Sequence, residues 1–376
     1  MKTGKSLTDL AIEIDRQQNA KRDLVASTQD IAMLVKNPDR PSGVLLGVGD
    51  RDVFGINSLA HDQIGTYTEI PGKYYDRMLA EAPHLLVQNV NTWFDLKHEN
   101  RLVRAMDGNV RALLSDKYRP LENVDLAEAV LPVFADLRLE VISCELTERR
   151  LYLKAVDQSI NADIPRGRMG DGSHTIFDTC VPAIVISNSE VGAGAISVET
   201  AVWTRACTNL AVFKTESMKR RHVGARHEIA AGDGVMELLS DETRAQTDKA
   251  LWMQVRDVAR AAFDEARFQA RIAKITETVA QKIEGDPVKV VEFAARRFGM
   301  TETEQGGVLR HLIEGGSLTR YGLFNSITRA AEDLENYDRA SEFERIGGEI
   351  IDLGPGEWKQ IATAQDNAPA RRRIAA

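Results

Sequence analysis

The chain is short of cysteine, of aromatics and of long apolar runs. Its three cysteines, Cys144, Cys180 and Cys207, lie far apart and never in a C-x-x-C spacing. That pattern argues against a disulfide framework or a cysteine zinc site and for a reducing compartment. No stretch approaches the ~18 apolar residues a membrane span needs, so no membrane association is expected. Residues 1–18 begin with charge but lack the apolar core of a secretory leader, and read as an amphipathic helix. Positive charge is not in excess either: 48 Lys and Arg face 56 Asp and Glu, a net charge of -8. A compact duplex-binding domain is usually basic, so the balance counts against one. Catalytic strings are missing too. There is no H-E-x-x-H, and the glycine turn at 47–55 lacks the G-K-[ST] ending of a Walker loop. His222 and His227 stand five apart, which does not put two zinc ligands on one helix face. No metal and no cofactor is expected.

What is present is globular: 43% hydrophobic and 28% charged residues in 376, room for two or three domains. Leu7, Leu10, Ala11 and Ile14 keep the spacing of one helical face, predicting a helix over 6–35. Two short apolar runs around Gly49-Asp50-Arg51-Asp52 predict a hairpin, with helices at 58–68 and 72–82 after it. Asp107-Gly108 between RLVRAM and VRALLS predicts a second hairpin. Asn123 reads as the cap of a helix, and 138–146 and 149–156 as a third hairpin. Residues 160–175 read as a mobile loop, 180–190 and 195–206 as strands. From Asp241 to Ile283 there is no Gly or Pro. Apolar residues there predict one long helix or two in sequence, as a coiled-coil-like hairpin. Further helices are expected to about 345. The fold class is therefore α+β: an antiparallel sheet with packed helices, ordered β-β-α-β-β-β-β, then an all-helical region. The expected divisions are 1–98, 99–234, 235–363 and a disordered tail over 364–376.

One charge anomaly stands out. Residues 205–227 hold Arg205, Lys214, Lys219, Arg220, Arg221 and Arg226 against one acid, Glu216. A basic cluster in an acidic chain suggests a polyanion partner; a solvated linker facing acidic helices such as 332–352 is the other reading. Ser115-Asp116-Lys117-Tyr118-Arg119-Pro120 closes a strand. Lys117 and Arg119 suit phosphates and Tyr118 suits a base, or the tyrosine packs beneath the sheet. Arg111 alternates onto the face of Leu113 and Ser115. Trp203 and Arg205 share a strand face, suited to nucleic acid if exposed and to the core if not. Cys207 beside His222 is a weak nucleophile candidate without a fixed base. Asp107, Asp116, Glu122 and Asp125 occupy turn and cap positions that favour acids anyway.

Several strings occur in order: S-D-x-Y-R-P-L-x-N from Ser115 to Asn123, N-S-E-x-G from Asn188 to Gly192, Cys207-Thr208-Asn209, Arg221-His222, and Y-G-x-x-N-x-x-T from Tyr321 to Thr328. Together they resemble the phage/plasmid-like family of unknown function, across roughly 50–340. That resemblance implies a mobile genetic element in a bacterial cytoplasm and no settled activity. In outline the chain is also similar to phage single-strand annealing proteins, which hold single-stranded DNA by its backbone and oligomerise. The leading expectation is a homo-oligomeric single-stranded nucleic-acid binding or annealing protein working without hydrolysis. An interaction or anti-defence protein binding a host protein is the alternative, and a metal-dependent nuclease the third. The expected contacts are Arg111, Lys117, Tyr118, Arg119, Trp203, Arg205, Lys219, Arg220, Arg221 and Arg226.

Overall fold

The computed structural model describes residues 1–36, 43–168, 175–205, 209–220 and 241–364. Helix α1 (Leu7–Ala20) starts under Ser6, whose side chain accepts from the Asp9 N–H, and buries Leu10 and Ile14. That is the predicted face, but the helix ends well short of residue 35. Residues 15–23 offer no apolar side chain beyond Ala20 to hold it down. The chain extends instead into β1 (Lys21–Ser27) and, after a short turn, β2 (Ile31–Val35). The hairpin β3 (Val44–Val48) and β4 (Asp52–Ile56) follows as expected, then α2 (Ser58–Tyr67), α3 (Gly72–Glu81) and α4 (Pro83–Leu96). Strands β5 (Asn100–Met106) and β6 (Asn109–Ser115) turn at Asp107 and Gly108, with φ of 51° and 74°, the positive pair that a type I′ turn requires.

Helix α5 (Asn123–Asp136) has Glu122, not Asn123, at its cap, with no side-chain cap bond. Strands β7 (Glu140–Leu146) and β8 (Leu151–Val156) form the third hairpin. Part of the expected loop is instead strand: β9 (Ala162–Arg168) pairs with β10 (Thr175–Asn188), and 169–174 lie outside the described residues. β11 (Ile196–Thr204) and β12 (Asn209–Arg220) complete the strand-rich part. The described residues from 241 on are helical: α6 (Asp241–Ala261), α7 (Glu265–Val279), α8 (Pro287–Phe298), α9 (Glu302–Gly315), α10 (Arg320–Asp333), α11 (Tyr337–Asp352) and α12 (Pro355–Thr363). The tail beyond 364 lies outside the described residues. No described helix is long and apolar enough to cross a membrane.

The α+β class holds, with the strands in two mostly antiparallel sheets. The first has the order β1-β5-β6-β4-β3-β2, and the second β12-β11-β10-β8-β7 with β9 on β10. The hairpin β5-β6 thus belongs with β1–β4 and not with β7-β8. Local turn chemistry made each hairpin legible, but which sheet it joins is decided by long-range pairing. Helices α2–α4 cover one face of the first sheet, with Ile64, Met78, Leu86 and Phe94 buried on it. In the second sheet Leu153, Ala155, Ile184, Ile186 and Val198 pack under α1, α5 and α6. Its other face carries Tyr152, Lys154 and Glu199 and meets α11. Helix α7 enters a separate core with α8–α12. So 241–283 is two helices, broken where Asp264 caps α7, and they enter different cores instead of pairing as a hairpin.

Candidate functional site

The two sheets meet at the turn between β10 and β11, where Glu190 is 6% exposed. Arg111 on β6 donates to its Oε2 at 2.9 Å, and the Asn123 backbone N–H to its Oε1 at 2.7 Å. Arg104 on β5, 1% exposed, donates to the Glu190 carbonyl at 2.7 Å, to Asp23 at 2.9 Å and to Glu122 at 2.8 Å. Burial alone would raise the Glu190 carboxyl; the charges of Arg111 and Arg104 and the Asn123 N–H outweigh it and hold the group below its ordinary value. Asn188 donates to the Leu121 carbonyl at 2.7 Å and to Asn123 Oδ1 at 2.9 Å. Tyr118 donates to the Ser189 carbonyl at 3.0 Å and accepts from the Gly192 N–H at 3.2 Å. Gly192 sits at φ +76°, and a side chain there would run into Leu114.

This network decides several expected contacts. Arg111 is a correction: it is 8% exposed and neutralised by Glu190, so it cannot meet a nucleic-acid phosphate. Tyr118 is also corrected from a stacking residue to a half-buried strut between 115–123 and the 189–192 turn, because its hydroxyl is spent on the Ser189 carbonyl and the Gly192 N–H and its ring packs against the cluster of Leu114 and Val191. Arg119 is half-buried and paired with Asp248 on α6. Trp203 is half-buried: it packs against the cluster of Ala201, Val181 and Ile142 and lines an open pocket with Met1, Lys2 and Glu332. Arg205 is exposed and donates to the Gln158 carbonyl at 3.1 Å. Lys219 is exposed with its amine 3.6 Å from buried Glu199, and Arg220 is exposed. Lys117 is exposed. Arg221, Arg226, Cys207, His222 and His227 lie outside the described residues.

The pairing register shows which of these come together. Arg220 lies opposite Ile196 and Lys219 opposite Ser197, at the end of the second sheet where β11 begins. The 189–192 turn, held by Tyr118, is at that same end, which brings Lys117 and Arg119 there too. Trp203 and Arg205 close the other end of β11, about 30 Å away at ~3.3 Å per residue. One basic groove through all ten residues is therefore not what the strands build. The candidate site is the β11-start end, with Lys117, Lys219 and Arg220 as its exposed cations.

Sequence reasoning did not single out Arg104, Asn188, Glu190 or the charges beneath α11. Yet Ser115–Asn123 and Asn188–Gly192 are two of the strings noted above, and their convergence on one network was the available signal. Of the acids considered for a metal, Asp107 pairs with Arg16 and Glu122 with Arg104 and Lys21. Among the described residues no three metal-ligating side chains converge. Compared with models of protein families, with curated proteins and with solved structures, the chain has no significant match.

Proposed function

We propose that this chain binds single-stranded nucleic acid at the end of the second sheet where β11 begins. It acts there as a phage or plasmid annealing protein in a bacterial cytoplasm, with no hydrolytic step. The observation that carries the reading is the set of exposed cations at one sheet end, Lys117, Lys219 and Arg220, in a chain of net charge -8. Two more arginines, Arg221 and Arg226, follow directly in the sequence. Contact with a sugar-phosphate backbone depends on such local charge and not on the total. The ordered strings resembling phage/plasmid proteins agree with that setting. Both faces of the second sheet are packed under helices, so the strand runs along the sheet end and not across a face.

Fluorescence anisotropy with a labelled oligonucleotide over a salt series tests this. Three phosphate contacts predict a log–log salt slope of about −2 at ~0.7 per contact on a single strand. Lys117→Glu with Arg220→Glu is expected to remove binding while the far-UV spectrum stays that of the parent. No binding at about 50 mM salt, or a slope near zero, defeats the reading. Homo-oligomerisation belongs to the same proposal. β1 and β2 end the first sheet, and Val25 on β1 is 65% exposed, so this edge is open to pairing. Val25→Lys should lower the mass measured by light scattering; an unchanged oligomer removes β1 from the contact.

A further inference from the structure

A second polar site lies at the opposite end of the second sheet. A small cavity of about 40 Å³ is lined by Arg166 of β9, Asn209 at the start of β12, His311 of α9, and Tyr321, Asn325 and Arg329 of α10. The three α10 residues are four apart, so they stand on one helix face. The volume fits about three waters or one tetrahedral oxyanion. Asn209 is 1% exposed and donates to Asn325 Oδ1 at 3.0 Å, which sets the orientation of its amide. Its own Oδ1 is buried and meets no donor among the described residues. A buried acceptor left open in a cavity wall calls for a ligand that brings a proton.

The charges around the cavity are uneven in reach. Asp178 lies behind Tyr321, which donates to it at 2.7 Å, and Arg166 is 3.7 Å from its other oxygen. Asp333 is held by Arg310 at 2.6 Å and lies 2.7 Å from His311 Nε2, while Glu314 is 3.5 Å from His311 Nδ1. Arg329 is exposed and has no ion pair among the described residues. Asp333 is thus engaged by its neighbours, Asp178 keeps one buried oxygen without a hydrogen-bond donor among the described residues, and a guanidinium stands at the mouth.

We propose that this cavity binds a protonated oxyanion, inorganic phosphate or a phosphomonoester, with Arg329 and Arg166 supplying charge and Asn209 Oδ1 accepting the P–OH proton. Sulfate has the same shape but takes up no proton anywhere near neutrality. Inorganic phosphate keeps one at pH 7, and a phosphomonoester, with a second pKa of about 6, takes one up at mildly acidic pH, so the open acceptor selects against sulfate. A phosphodiester lacks that proton too, which makes this site distinct from the backbone contacts at the other sheet end. The inference does not rest on the strand-binding reading.

Calorimetric titration of the full chain with sodium phosphate and sodium sulfate at matched ionic strength tests it. Saturable phosphate binding is expected, about tenfold or more tighter than sulfate, and weakened about tenfold by Arg329→Gln. Arg22→Gln on the first sheet is the control and should change nothing. No saturable phosphate signal up to about 10 mM, equal affinity for sulfate, or indifference to Arg329→Gln each overturns the proposal. Competition identifies the source. Displacement of phosphate by a 5′-phosphorylated but not a 5′-hydroxyl oligonucleotide supports the site as a reader of strand ends. Displacement by neither supports the free anion. Displacement by both means that diesters enter, and overturns the selection by the P–OH proton.

Discussion

Glu190 separates structural charge from surface charge in this chain. It is 6% exposed and Arg111 8%, and its carboxylate is the counter-charge of Arg111, while Arg104, 1% exposed, is neutralised by Asp23 and Glu122. Removing it leaves Arg111 buried without its partner, so Glu190→Gln should cost roughly 3–5 kcal/mol in urea unfolding. Arg220→Glu, on an exposed strand end, should stay within about 0.5 kcal/mol while weakening nucleic-acid binding. If the two substitutions exchanged these effects, the division between strut and contact residues would be wrong. Acid should act on the same carboxylates. Burial would raise Glu199 as well, but Arg345 and Lys219 outweigh it and hold it below its ordinary 4.5, as Arg111 does for Glu190. A depressed folded pKa contributes stability that is complete above the unfolded value and lost as pH falls through the folded one. Unfolding free energy should therefore fall as pH drops below about 4.5, and in Glu190→Gln that acid-side slope should be shallower. Little of this was legible in the sequence. Arg111 and Lys117 differ in kind only through partners far along the chain, Glu190 being 79 residues from Arg111.

At the scale of elements, the glycines of the helical part make opposite predictions. A Cβ on Gly348 of α11 would lie 1.9 Å from the Val212 carbonyl oxygen, so the helix rests directly on the backbone of β12. Gly348→Ala gains about 1 kcal/mol of helix propensity but must lift α11, and the net is expected to be a loss of roughly 1–3 kcal/mol. On α9, Gly306 has nothing within 4 Å of such a Cβ. Gly306→Ala should stabilise by about 0.5–1 kcal/mol, and thermal melts of the two variants should move in opposite directions. Elements governed by local chemistry were readable. The Asp107-Gly108 turn formed where the residues called for it, and the Thr301–Glu304 capping box that starts α9 is equally local. Elements governed by distant partners were not. Residues 21–27 became strand because β5 was there to pair with β1, 31–35 because β3 was there to pair with β2, and 162–168 because β10 was there to pair with β9.

For the whole molecule, the change of texture near residue 234 marks a change of secondary structure and not a break in packing. Lys154 of β8 and Glu344 of α11 are both fully buried and bond at 2.6 and 2.9 Å. The next residue, Arg345, reaches Glu199 of β11 at 2.6 and 2.9 Å. Either Lys154→Met or Glu344→Leu alone should destabilise by about 3–5 kcal/mol, and the double variant should recover most of it, because an apolar pair needs no counter-charge. A double-mutant cycle in denaturant measures that recovery; additive losses would mean the two side chains are not each other's partners.

The tandem Glu344-Arg345 also bears on how the chain is made. The second sheet holds Lys154, whose neutralising partner Glu344 lies on α11, and Glu199, which shares Arg345 of α11 with Lys219 of β12, and α11 is translated more than a hundred residues after β11. While ribosomes are still working through the helical region, that sheet face has two charges with nothing to bury them. Translation order therefore ties completion of the strand-rich part to the arrival of α11. A stalled or clipped chain lacking that helix would present a charged, wet sheet face to the cell's quality-control machinery, which is a simple mark of an unfinished molecule.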